Sequence, residues 1–392
     1  MHACLRICVI IAAGWILQLQ ADPFIPGSES QVLERLPFTA SDPANRLLRA
    51  LSGQLKEEPD NLSLALRVAR GYLELGRATS DPRYAGYAQA ALAPWWALPR
   101  APEDVLILRA TLRQRAHQFD AALADLAIVL DIDPRNAQAR LIRATVLQVT
   151  GDYPGAREEC LAIRSLTQEL VSTACLASVN GVTGHLRQSY DELRTTLDRF
   201  PNSQPQLRSW VLTSLAEMAA RADMADTADI YFREAFAIDA TDAYLLGAYA
   251  DFLLDQNRPR EVLELLRAHT RADPLLLRYA LALQAERSPE LLAQIEQLQD
   301  RFEASHLRGD RVHLREEARY LLHLKNDPAA ALKLARENWE VQKEPADICI
   351  LVEAALAAHD GAQLGIAKEW LRGSRLEDFR LEKISSNTAQ PN

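Results

Sequence analysis

The chain has 392 residues, 48% of them hydrophobic and 25% charged, with a formal net charge of −9. That length exceeds one small core and implies two or three domains or one extended array, while the composition excludes wholesale disorder. The acidic balance gives no basic footprint for nucleic acid and no bulk charge for anionic lipid. The alanine-, leucine- and arginine-rich texture, with 15 glycines, favours helix throughout.

Residues 1–21 have the layout of a secretory signal. Arg6 precedes an apolar stretch from Ile7 to Leu17, and a polar run ends at Ala21, where cleavage is expected. The apolar stretch is shorter than the roughly 20 residues that span a bilayer. Neither Cys4 nor Cys8 stands where a lipidation site would, so the mature chain is expected to be periplasmic or secreted, with no membrane insertion. Cys160, Cys175 and Cys349 then remain, in surroundings where disulfides persist, and their spacing has no metal-ligand pattern. Residues 22–41 read as a linker. Residues 42–60 read as a capping helix whose Leu47, Leu48 and Leu51 pack on the first full unit.

From residue 61 the chain repeats itself. "RATLRQRAHQFDAAL" (Arg109 to Leu123) returns 34 residues later as "RATVLQVTGDYPGAR" (Arg143 to Arg157), with Phe119 falling on Tyr153 and Ala122 on Ala156. A period of this length predicts stacked supersecondary units. In the unit from about Glu103 to Asn136, Leu106, Ala110 and Leu112 give a first helix its apolar side. Ala122, Leu123, Leu126 and Leu130 give a second helix the same, three or four residues apart, and Pro134 follows its end. Neither helix can bury its face alone, so each unit leans on the next. Steps of 34 from Ala216 reach Ala250, Gln284, Ala318 and Val352, of which Gln284 alone is neither small nor apolar.

Ala144, Tyr153, Ala156 and Cys160 in one copy, and Ala216, Ala228, Phe232 and Ala235 in another, resemble the tetratricopeptide repeat pattern. A third copy has Ala250, Leu253, Leu266 and Pro274. The resemblance, to an exported bacterial type, implies an all-α fold over residues 61–374: a right-handed superhelical solenoid of about eight antiparallel helix pairs. About seven extra residues around "RATSDPR" lengthen the first unit's turn, and "FPNSQPQLRS" adds about four. The copy from Leu277 to Asp310 is degenerate, with Pro289 where its first helix should end. Residues 375–392 read as a partly disordered tail. Cys160 and Cys175 fall on antiparallel helices either side of a turn near Leu166 to Glu169, within reach of a disulfide that leaves Cys349 free. Alternatively Cys160 fills its core slot as a free thiol.

No phosphate loop, nucleophile elbow or zinc-protease motif occurs in the sequence, so neither an enzyme nor a cofactor is expected. His313, Glu317 and His323 could share part of a helix side, but ordinary helix-face pairs explain them better than a metal, and none is expected. "RGD" at Arg308 to Asp310 reads as a turn. Trp95 and Trp96 are either core packing or an exposed aromatic anchor for a partner.

The resemblance implies a concave groove lined by first-helix residues, which here selects Arg70, Gln114, Arg115, Gln148, Glu217, Arg221, Tyr244 and Asp251. The family's lysine and asparagine clamp for a C-terminal carboxylate is replaced by Ile107 and Thr111, then Leu141 and Thr145, which argues against a chaperone-tail partner. A non-enzymatic exported scaffold holding a protein or peptide partner of mixed charge is the functional expectation. The alternative is an accessory or regulatory subunit of an envelope enzyme or transporter, with a hydrolytic site of its own.

Overall fold

The computed structural model describes residues 43–387 other than Ser80, Pro82, Arg308, Asp310 and Arg311. The expected signal (residues 1–21), the linker and most of the "RGD" turn lie outside the described residues. The chain opens with α1 (Pro43–Glu57) and continues as helix pairs, each packed antiparallel on itself and stacked on the next. The first pair is α2 (Leu62–Thr79) with α3 (Arg83–Ala91), followed by the short α4 (Ala93–Trp96). The next three are α5 (Glu103–Arg115) with α6 (Phe119–Ile132), α7 (Ala137–Thr150) with α8 (Tyr153–Ala162), and α9 (Glu169–Asn180) with α10 (Leu186–Arg199). Then come α11 (Pro205–Arg221) with α12 (Ala225–Ile238), α13 (Ala243–Asp255) with α14 (Pro259–Leu266), and α15 (Asp273–Ala285) with α16 (Leu291–Leu307). The last two are α17 (Leu314–His323) with α18 (Pro328–Val341), and α19 (Pro345–Ala357) with α20 (Gly361–Ser374). A final helix, α21 (Phe379–Asn387), follows.

Nine pairs therefore stand among the described residues where about eight were expected. The degenerate copy forms a complete pair because Pro289 falls in the turn between α15 and α16, where it breaks no helical hydrogen bond. The register also slips there. Gln284 is exposed, and Ala280, one turn earlier, takes the buried small-residue position before the register returns at Ala318. The segment expected as a tail carries α21.

The repeated line acquires its physical meaning here. Ala110, Ala122, Ala144 and Ala156 are all buried and let paired helices approach, with Phe119 buried and Tyr153 half-buried beside them. Arg109, buried on α5, donates from Nε and Nη2 to the two oxygens of Asp125 on α6, at 2.9 and 2.6 Å. Thirty-four residues on, Arg143 and Arg140 reach Glu159 on α8 at 3.5 and 2.7 Å. The repeated arginine thus ties the two helices of its own unit together.

At the amino end Leu48 is buried and Leu51 packs on the first cluster, but Leu47 is 60% exposed. One face of α1 docks, and Leu47 lies outside its arc. The Cys160–Cys175 disulfide is present, with Cα atoms 5.5 Å apart, stapling α8 to α9; Cys349 is buried and free.

Candidate functional site

The solenoid is wound so tightly that it meets itself after about five pairs. Arg77 at the end of α2 donates to Asp239 and Asp242, before α13, at 2.8 and 2.9 Å. The Tyr153 hydroxyl donates to the Lys343 carbonyl at 2.9 Å, and the Lys343 amide donates to the Val149 carbonyl at 2.7 Å. Gly151, at φ 91°, leaves room for the Lys343 side chain there; a Cβ would meet its Cγ at 2.9 Å. These contacts turn what would be an open groove into a cavity of about 1060 Å³.

The first helices of four pairs supply much of its wall. Arg115 on α5, Gln148 on α7, Glu217 and Arg221 on α11, and Tyr244 and Asp251 on α13 all line it. Six of the eight residues selected from sequence thus converge on one space. The other two do not. Arg70 is exposed and paired with Asp104 at 2.6 Å, and Gln114 is half-buried; neither lines the cavity.

The charges are arranged in partly closed sets. Tyr244 donates its hydroxyl to Glu217 at 2.8 Å. Removal from water pushes the Glu217 carboxyl up to about 7, against the pull of the Tyr244 hydroxyl and the Arg221 guanidinium. Asp251 lies between Arg278, at 2.5 Å, and Arg319, at 3.0 Å. Burial alone would raise its pKa, but these two guanidinium groups hold the carboxyl well below the usual range. Asp255 goes the other way, to about 6, because burial outweighs an Arg380 that stands 3.7 Å off. Arg221 spends one donor on the Gly181 carbonyl at 2.8 Å. Counting the whole lining, eight arginine or lysine side chains face eight aspartates and glutamates, so the cavity favours neither a polyanion nor a polycation.

Sequence reasoning missed the second half of this wall. Arg278, Arg315, Glu316 and Glu344 come from the last three pairs, and nothing in their local spacing says that the superhelix brings them round to face α11 and α13.

Trp95 and Trp96 lie elsewhere. Both are half-buried against the amino-terminal cluster, and Arg113 lies over the Trp96 ring at 5.8 Å, so each ring packs in part and keeps part of its surface open. His313, Glu317 and His323 do not converge: Glu317 meets His306 at 2.9 Å and His323 meets Glu353 at 3.0 Å.

Paired helices, a period near 34 residues, and buried small and aromatic residues at the expected places decide the architecture. The fold is a tetratricopeptide-like solenoid. No protein-family model matches the sequence, and no curated protein matches it. Among solved structures, a tetratricopeptide repeat protein from Parabacteroides merdae aligns with a TM-score of 0.41 and 15% identity over 65% of this chain and 90% of that one. Yeast Tom70 aligns with a TM-score of 0.32 and 12% identity, over 88% of this chain and 91% of the other. Similarity at that level adds nothing to what the tetratricopeptide-like helix pairs show by themselves.

Proposed function

We propose that this chain is a non-enzymatic, exported scaffold that holds a protein or peptide segment of mixed charge in its central cavity. The observation that carries the reading is the convergence of Arg115, Gln148, Glu217, Arg221, Tyr244 and Asp251, from four different helix pairs, on one space with balanced charge. Arg115 lines that space with no hydrogen bond or ion pair to a described residue, and Arg221 has no carboxylate in contact, so both have donors to spare for a carboxylate. The Tyr244–Glu217 pair and Asp255 offer acceptors for an amine or guanidinium. An extended segment with alternating charge would satisfy both sets, through side-chain hydrogen bonds. Export is supported by the Cys160–Cys175 disulfide, which suits an oxidising compartment, and no described helix is long and apolar enough to cross a membrane.

The test is affinity capture from envelope extract by the full chain and by the double variant Arg115→Glu with Arg221→Glu. A stoichiometric protein should be captured by the wild type and reduced roughly ten-fold or more by the double reversal, since charge opposition costs several kcal/mol at a desolvated contact. The melting temperature should stay nearly unchanged. Capture that survives the double reversal and fails on changing Trp95 or Trp96 would move the site to the outer face.

A further inference from the structure

The wall of the cavity is completed by the chain's own carboxyl end. After α20, Arg375 takes a left-handed conformation (φ 58°) and turns the chain back across the solenoid. Arg375 then packs on Gly184, where a Cβ would meet its own at 2.8 Å. Glu377 Oε1 accepts the Leu186 amide at 3.1 Å, taking one of the free donors at the start of α10. Asp378 and Arg380 line the cavity, Asp378 in the field of Arg221 and Arg380 at 3.7 Å from Asp255. Residues 375–380 thus bridge the ninth pair to the fourth, fifth and sixth, the contact with the fourth spanning 191 residues of sequence.

The chemistry of this crossing repeats what the cavity asks of a partner. It sets the buried Asp378 carboxylate on the same wall as Arg221, without contact, and the Arg380 guanidinium 3.7 Å from Asp255, two residues apart on one short segment. Its attachment is also slight. Leu381 is buried in the last cluster and Ile384 packs at that cluster's edge, but Phe379 is 40% exposed, and nine residues are too few for a helix to persist alone. Such segments open locally at far less cost than the whole fold.

We propose that residues 375–387 are a strap that closes one side of the cavity by standing in for the partner at Asp255, so that the partner takes over this carboxylate from Arg380 only as the strap leaves. The proposal rests on the scaffold reading for the identity of the occupant, but the closing and opening of the strap do not.

The molecule carries its own reporter. Cys349 on α19 is 1% exposed in the same cluster as Leu381, beside the Arg380 guanidinium, and burial pushes its thiol up to about 12. While the strap is shut this thiol is inert, and when the strap lifts it meets water and ionises more readily. The experiment is native labelling of the non-reduced full chain with a thiol-reactive disulfide reagent, modification at Cys349 being read by peptide mass. Arg380→Glu sets a carboxylate against Asp255 and Glu353, and Leu381→Ala removes the apolar anchor while keeping the guanidinium. Each variant should raise the Cys349 labelling rate about ten-fold or more, with faster amide exchange in residues 376–387 and unchanged exchange in α2 and α3. Labelling that is unchanged, or that rises only in proportion to a lower melting midpoint, would overturn the strap and make α21 a fixed part of the last repeat. The two readings separate cleanly. An opened strap without partner capture keeps the strap and removes the scaffold, and capture that proceeds with Cys349 still protected does the reverse.

Discussion

Glu217 shows how enclosure by the superhelix alters a single side chain. On an open helix face it would titrate as an ordinary carboxylate; within the half-open cavity it is pushed up to about 7, with the Tyr244 hydroxyl as its hydrogen-bond donor. The folded state therefore holds a proton that the unfolded chain releases at lower pH. Stability from this group is fully present below the ordinary glutamate range and is lost as pH rises through 7. Glu217→Gln keeps an acceptor for Tyr244 and removes the charge. Its melting temperature should exceed that of the wild type at pH 8 and match it at pH 4.5. Thermal unfolding at both values checks this, and an equal shift at the two would show that Glu217 does not titrate in that range. Nothing in the local sequence marks Glu217 as different from the other glutamates, because its pKa comes from walls supplied by distant pairs.

At the level of the helix pair, the turns carry a regularity that the sequence conceals. From the second pair to the ninth, each turn between the two helices of a unit contains one residue in the left-handed region: His117, Gly151, Gly184, Asp223, Asn257, Arg287, Asn326 and His359. Only two are glycine, so a search for glycine at a fixed interval finds a quarter of them. The alanine and aromatic positions were legible because packing of two close helices restricts them to few residue types. The turn positions were not, because a left-handed backbone is only disfavoured, not forbidden, for other residues. Arg287 is the clearest case, being exposed, on the degenerate unit and without a side-chain partner among the described residues. The left-handed penalty for an L-residue, roughly 1–2 kcal/mol, exceeds glycine's extra chain entropy. Arg287→Gly should therefore stabilise the protein by about 0.5–1 kcal/mol. A urea unfolding midpoint that rises at constant m-value confirms it, and a fall would mean that the Arg287 side chain has a stabilising contact in solution.

The whole molecule is decided by how tightly the stack winds, which is the part least visible in the sequence. The period predicts pairs and the apolar register predicts their cores, but pitch accumulates from small rotations at each interface, and no single residue encodes it. That is why Arg115 and Tyr244 could be assigned to a concave surface while Arg315 and Glu344, which face the same space, could not. Pitch is fixed in part by contacts between successive turns, and Arg77 makes the clearest of them, holding Asp239 and Asp242 at 2.8 and 2.9 Å. Asp242 also accepts the Tyr244 and Leu245 amides at the start of α13, so the clasp reaches the helix that presents Tyr244 to Glu217. Arg77→Glu sets a third carboxylate against these two, and like charges at a partly desolvated contact repel by several kcal/mol. Each unit's own core is untouched by the change, because stacked repeats draw their stability from themselves and their nearest neighbours. Helical content by circular dichroism should therefore stay constant while the radius of gyration from small-angle scattering increases and amides 239–245 exchange faster. Scattering and exchange identical to the wild type would show that the superhelix keeps its pitch without this clasp, through the Lys343 contacts with Val149 and Tyr153 and the nearest-neighbour interfaces alone.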